Sequence, residues 1–142
     1  GGVKYNEKEL AFANEIAKSL GQEKADVAVA QEIAPYKSTA KAGGSTDVGD
    51  VSFAVPTVGF GTATWVPGTA AHSWQAVAAG GTGIGNKGMM VAAKTLSLSA
   101  IELFSNPKLI MAAKKEHQEK TGANFKYIPL IGDRAPALDY RN

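Results

Sequence analysis

The 142-residue chain contains no cysteine. That removes disulfides, thiolate zinc sites and a cysteine nucleophile, and leaves the compartment open. It holds two histidines, His72 and His117, too few to build a complete metal centre by themselves. Charge of one sign is also missing. Fifteen basic residues against thirteen acidic leave +2, and no basic run is interleaved with aromatics, so nothing argues for nucleic acid. Long apolar runs are absent as well. The best candidate, Met89 to Ile101, is short and interrupted by Lys94, which excludes a membrane partner through a spanning helix. The start, "GGVKYNEKEL", has neither a methionine nor a signal-peptide apolar region, and reads as part of a longer protein of cytoplasmic type.

What is present suffices for one packed domain: 44% of residues are hydrophobic and 20% charged, outside the range of disordered chains. Asn6 to Leu20 predicts a helix. Asn6 caps it, Glu9 stands three residues on, Gly21 ends it, and Leu10, Ala13, Ile16, Ala17 and Leu20 form one stripe. Ala25 to Ile33 alternates and suggests a short strand closed by Pro35. Lys37 to Gly44 reads as loop, and Asp47 to Val55 as a short helix capped by Thr46 or Asp47.

The clearest strand pattern is "TVGFGTATW", Thr57 to Trp65, whose small residues imply something packed close on one face. Asn86 to Phe104 is almost wholly small or apolar and predicts a deeply buried helix. Asn106 and Pro107 then open a helix that runs to about Lys120, where Gly122 stops it. The tail beyond Phe125 reads as an extended arm. The order helix, strand, helix, strand, helix, helix predicts an α/β class, with helices on a thin sheet that another chain or segment completes.

Four features bear on chemistry. His72 follows Pro67-Gly68 in a loop past a strand end, where α/β proteins place their sites, although a loop histidine bonded to nearby backbone has the same pattern. His117 sits among charges and is expected to face solvent. In "GGSTDVGDVS", Asp47 is either a helix cap or part of a loop facing a substrate. "GTGIGNKG" places Gly83, Gly85 and Gly88 in dinucleotide-fingerprint spacing, but no strand leads into it and helices follow, so it reads as a loop that lets a helix start close to its neighbours. No G-x-S-x-G elbow exists, and Asp47 with Asp50 have no evident acid/base partner.

Taken together, "GGSTDVGDVSFAVPT", a strand ending in Trp65, "PGTAAHSWQAVA" and "NKGMMVAAKTL" resemble the C-terminal part of the M20 metallopeptidases. Within them the likeness is nearest to the aminobenzoyl-glutamate utilization protein B type of amidohydrolase. It covers roughly residues 6 to 125 and is strongest from Gly43 to Lys94. The "HSWQ" after the loop is shared with that branch, where other relatives carry an acidic residue.

The resemblance implies a three-layer catalytic domain of the zinc-dependent exopeptidase type, holding two divalent metal ions, usually zinc. This chain would be its C-terminal segment, with the upstream metal-binding half and the lid outside it. His72 matches the final metal-ligand histidine, and Gly44, Ser45, Thr46 and Asp47 match the loop bordering the substrate pocket. No catalytic residue is expected within these 142 residues, and no metal is expected to be held by them alone. The implied activity is hydrolysis of the amide of an N-acyl amino acid or dipeptide-like substrate such as p-aminobenzoyl-glutamate, with the remainder of the parent enzyme as partner and the 142 residues inactive alone. An unpaired strand edge and the apolar run from Met89 predict a homo-oligomer. The rival expectation is a small non-enzymatic α/β binding or scaffold domain that uses its glycine-rich loop, residues 80 to 88.

Overall fold

A computed structural model describes residues 2–36 and 46–139. Its regular elements are helices: α1 (Glu7–Ser19), α2 (Ala28–Gln31), α3 (Val48–Ala54), α4 (Trp74–Gly80), α5 (Gly83–Ser105) and α6 (Pro107–Thr121). Among the described residues there is no strand, so the expected α/β class with helices on a thin sheet is corrected to an all-helical arrangement. The described residues fall into two compact units, one drawn from Gly1–Lys41 with Gly59–Ser105 and the other from Ala42–Val58 with Asn106–Asn142.

In the first unit α1 forms as its sequence dictates. The Asn6 side chain accepts from the Glu9 amide at 2.9 Å, and the Glu9 carboxylate accepts from the Asn6 amide at 2.8 Å, a reciprocal capping box. Ala13, Ile16 and Ala17 turn inward and pack with Ala25, Val66 and Ile84, and Tyr5, Phe12 and Leu20 lean on this core. The alanines bring α1 close to its neighbours, and the apolar area removed from water is correspondingly small. Val3 is fully buried, and its amide donates to the Ala30 carbonyl at 3.3 Å, tying the first residues to α2.

Both strand expectations fail for the same physical reason. Strand alternation becomes a strand only when a second backbone takes up its N–H and C=O groups. Within Ala25 to Ile33, residues 28–31 instead close a helical turn, with the Glu32 amide donating to the Ala28 carbonyl at 3.3 Å. Residues 57–64 run as irregular chain without a paired neighbour among the described residues. The small residues there predict a close approach from another element. Gly59 and Gly61 in fact face open space, and the tight approach is made one step later, at Ala63.

The helix of the apolar run is real but begins earlier, at Gly83, and only its first part is buried: Ile84, Gly85 and Gly88. From Ala93 onward it is exposed, with Leu98 at 67% and Phe104 at 87%, which corrects the expectation of deep burial along its length. The second unit gathers α3, α6 and the tail. Pro107 opens α6, and Gly122, at φ +94, ends it as glycine does in the left-handed region.

Candidate functional site

His72 is built by the turn that precedes α4. The Thr69 amide donates to the Val66 carbonyl at 3.1 Å, and the Ser73 hydroxyl donates to the Ala70 carbonyl at 2.7 Å. Ser73 is also the N-cap of α4, its hydroxyl accepting from the Ala76 amide at 3.2 Å. Between these bonds His72 is held at φ +59, and it is the one non-glycine residue at positive φ among the described residues. A left-handed conformation costs an L-residue about 1–2 kcal/mol, and such outliers gather at functional positions. The side chain is exposed, as its loop position predicts. Three residues before it, the Thr69 hydroxyl oxygen is enclosed with no hydrogen-bond partner.

Of the substrate-loop candidates, Gly44 and Ser45 lie outside the described residues. Thr46 and Asp47 lie in the second unit, ahead of α3. Asp47 occupies the N-cap position but makes no side-chain cap. The local bond is made by Thr46, whose hydroxyl accepts from the Val48 amide at 3.3 Å, and the Asp47 carbonyl accepts from the Asp50 amide at 3.0 Å. Thr46 and Asp47 thus share a turn with each other, while His72 belongs to the first unit.

The Gly83, Gly85 and Gly88 spacing has a packing origin. A Cβ on Gly83 would strike the Glu9 carboxylate, one on Gly85 the Gly80 carbonyl, and one on Gly88 the Ala63 carbonyl. The Thr82 hydroxyl accepts from the Ile84 amide at 3.2 Å and caps the start of α5. Close packing against the protein's own oxygens, the Glu9 carboxylate among them, therefore accounts for the three glycines. Lys87 Nζ lies 2.5 Å from Glu9 Oε2 and also donates to the Lys4 carbonyl at 2.8 Å. The Lys87 hydrogen bond, followed by the Asn6 amide, holds the Glu9 carboxyl below the ordinary carboxylate range. Burial, and then the Glu9 charge, push the nearby Tyr5 phenol up.

The charged neighbours of His117 predict a solvent-facing ring. It is half-buried instead, its Nε2 donating to the Ser52 carbonyl at 2.9 Å. The Tyr127 hydroxyl donates to Asp50 Oδ1 at 2.5 Å, a bond that raises the phenol above its ordinary range. Phe53 stacks on Tyr127 with centroids 6.1 Å apart, and Phe125 tilts against Phe53 at 5.7 Å. Sequence reasoning misses these contacts. The aromatic spacing of "NFKY" next to a helix-stopping glycine is the available signal. An open groove of about 780 Å³ runs between residues 32–36 and 59–63 of the first unit, and His72 does not line it.

No group of three or more histidine and acidic side chains able to hold a metal ion occurs among the described residues. One exposed imidazole does not fit a two-metal centre on its own, which needs several histidine and carboxylate donors and a bridging carboxylate.

Among curated proteins, the chain is 32% identical over 161 aligned residues to the B-type subunit of the p-aminobenzoyl-glutamate hydrolase of Escherichia coli (strain K12). The likeness covers 96% of this chain and 34% of the relative, so the chain spans about a third of that protein's length. The resemblance carried by the Gly43–Lys94 motifs is thereby borne out. No family model matches the chain, and no solved structure matches it. No helix among the described residues is long and apolar enough to cross a membrane.

Proposed function

We propose that this chain is the C-terminal part of the catalytic domain of an M20-type amidohydrolase acting on the amide of an N-acyl amino acid such as p-aminobenzoyl-glutamate. The observation that carries the reading is the likeness, across almost the whole chain, to a subunit of p-aminobenzoyl-glutamate hydrolase. In the reaction, water adds across the amide. The C–N bond breaks, the carbonyl carbon leaves as p-aminobenzoate and the nitrogen as the amine of glutamate.

In this reading His72 gives one neutral imidazole to a centre of two divalent ions, zinc in kind, whose other donors lie outside these 142 residues. The ions would supply Lewis acidity and an activated water. The chain's own part is to orient. The turn from Val66 to Ser73 holds the His72 backbone at an uncommon positive φ, which supports a role for this residue beyond packing. Thr46 and Asp47 border the substrate, where one hydroxyl and one carboxylate give polar contacts for the amino-acid portion. The relative's name makes it a subunit, and assembly with further chains of a hydrolase is part of the same proposal. The rival reading of a binding domain built on residues 80–88 has less support, since the three glycines are accounted for by the close approach of Glu9, Gly80 and Ala63.

The test is hydrolysis of p-aminobenzoyl-glutamate by the full protein that carries this chain, followed as released p-aminobenzoate. Wild type is expected to turn over, and His72→Ala to lose both metal content and turnover. Full metal content with normal turnover in that variant would take His72 out of the centre. The 142 residues alone are expected to be inactive.

A further inference from the structure

Helix α3 has no means of holding itself. It is seven residues long, no residue in it is buried, and isolated helices of this length do not persist in water. Yet it begins directly at Thr46 and Asp47, and the Asp47 carbonyl is its first acceptor, taking the amides of Asp50 at 3.0 Å and Val51 at 3.4 Å. Whatever fixes α3 therefore fixes the Thr46–Asp47 turn.

Two grips from the C-terminal part of the same unit do this. At the first turn of α3, the Tyr127 hydroxyl donates to Asp50 Oδ1 at 2.5 Å, and the Tyr127 ring lies nearly parallel to that of Phe53, at 6° and 6.1 Å. Phe125 closes on Phe53 at 5.7 Å. Further along α3, His117 of α6 donates from Nε2 to the Ser52 carbonyl at 2.9 Å. The Ser52 carbonyl is an acceptor that a short helix leaves open near its end, so the imidazole completes it. One grip is charge-assisted and aromatic, and the other engages backbone. Together they restrain both translation and rotation of α3.

We propose that Tyr127 and His117 are positioning residues for substrate recognition, acting through Asp50 and Ser52 of α3 to hold Thr46 and Asp47 in place. The proposal rests on the reading of Thr46 and Asp47 as substrate-facing, and neither Tyr127 nor His117 touches substrate in it.

The test uses the full protein and two independent readouts, amide hydrogen exchange across residues 46–55 and the separate values of KM and kcat for p-aminobenzoyl-glutamate. Tyr127→Phe keeps the ring and removes the donor, and is expected to speed exchange at Asp50 and Val51 about threefold and to raise KM by a similar factor, as loss of one hydrogen bond would, with kcat within about twofold. His117→Ala acts in the same direction through Ser52 and serves if the first variant folds poorly. Asp50→Ala should reproduce Tyr127→Phe, and Asp50→Asn, which keeps the acceptor oxygen, should restore slow exchange. Lys115→Ala, on the exposed surface of α6, should leave exchange and kinetics unchanged. Wild-type exchange in both Tyr127→Phe and His117→Ala overturns the clamp. Faster exchange with unchanged KM overturns its link to substrate. Absence of hydrolysis in the wild-type protein sinks the proposed function instead, and the exchange readout still decides whether α3 is held by these two side chains.

Discussion

Glu9 and Lys87 are 78 residues apart in sequence, and Lys87 Nζ lies 2.5 Å from Glu9 Oε2. The same carboxylate completes the capping box of α1 and lies against Gly83 at the start of α5. One side chain therefore serves the first turn of α1 and the first turn of α5 together, and the two helices share an electrostatic anchor. Its carboxyl is held below the ordinary range by Lys87 first and Asn6 second. A depressed folded-state value contributes stability that is complete above the unfolded-state value. That contribution fades as pH falls through the folded value.

The first prediction follows from that sign. Wild-type stability in urea should fall as pH drops below the usual carboxylate range, and Glu9→Gln should flatten that slope while lowering stability at neutral pH. Lys87 is partly exposed, so Lys87→Ala should cost no more than about 1 kcal/mol at neutral pH. An unchanged acid slope in Glu9→Gln would remove Glu9 from the linkage.

The second prediction separates two glycines. A Cβ at Gly88 meets the backbone carbonyl of Ala63, which has no flexible end to swing away, while a Cβ at Gly59 meets nothing within 4 Å. Gly88→Ala should therefore destabilise by about 1–3 kcal/mol. Gly59→Ala should be neutral or stabilise by up to about 1 kcal/mol through the unfolded chain. Midpoints of chemical denaturation compare them directly, and equal midpoints would mean that α5 shifts freely away from residue 63.

Much of the local structure is written in the sequence because its causes are local. Asn6 with Glu9 announces α1, Thr46 with Asp47 announces α3, and Pro107 and Gly122 bound α6. The errors concern partners. Val58, Phe60, Thr62 and Thr64 alternate as a strand would, but alternation carries no information on whether a second backbone lies alongside. The apolar run of α5 marks a helix that prefers to be covered, without saying that these 142 residues do the covering. For the site, the position of His72 past Pro67-Gly68 is legible, whereas its left-handed backbone is not, since no rule assigns that conformation to histidine. His117 misleads because its neighbours in sequence are charged. Its partner, the Ser52 carbonyl, is 65 residues away.

The third prediction concerns association. Leu96, Leu98, Ile101 and Phe104 all stand exposed on the second half of α5. Contiguous exposed apolar surface beyond a few hundred Å² drives association. The 142-residue chain should form dimers or larger species in light scattering across a dilution series. Leu98→Glu with Phe104→Glu should shift the distribution toward monomer without loss of helical circular dichroism. A monomer at high micromolar concentration would show that these exposed side chains are tolerated in water.

The last prediction weighs strain against function at His72. At φ +59 the cost falls on any residue with a Cβ, so His72→Ala keeps the strain and His72→Gly releases it. Glycine also gains freedom in the unfolded chain, which offsets part of the benefit. His72→Gly should therefore be more stable than His72→Ala by no more than about 1–2 kcal/mol, with both lacking the imidazole. In the full protein both variants should lose hydrolysis equally, because the ring is what the strained turn presents. Stability rising in His72→Gly while hydrolysis falls is the signature of a conformation maintained for the ring's task. Equal stabilities of the two variants would mean that the turn relaxes once the ring is gone. Retained hydrolysis in either would show that this histidine is not among the residues the reaction requires.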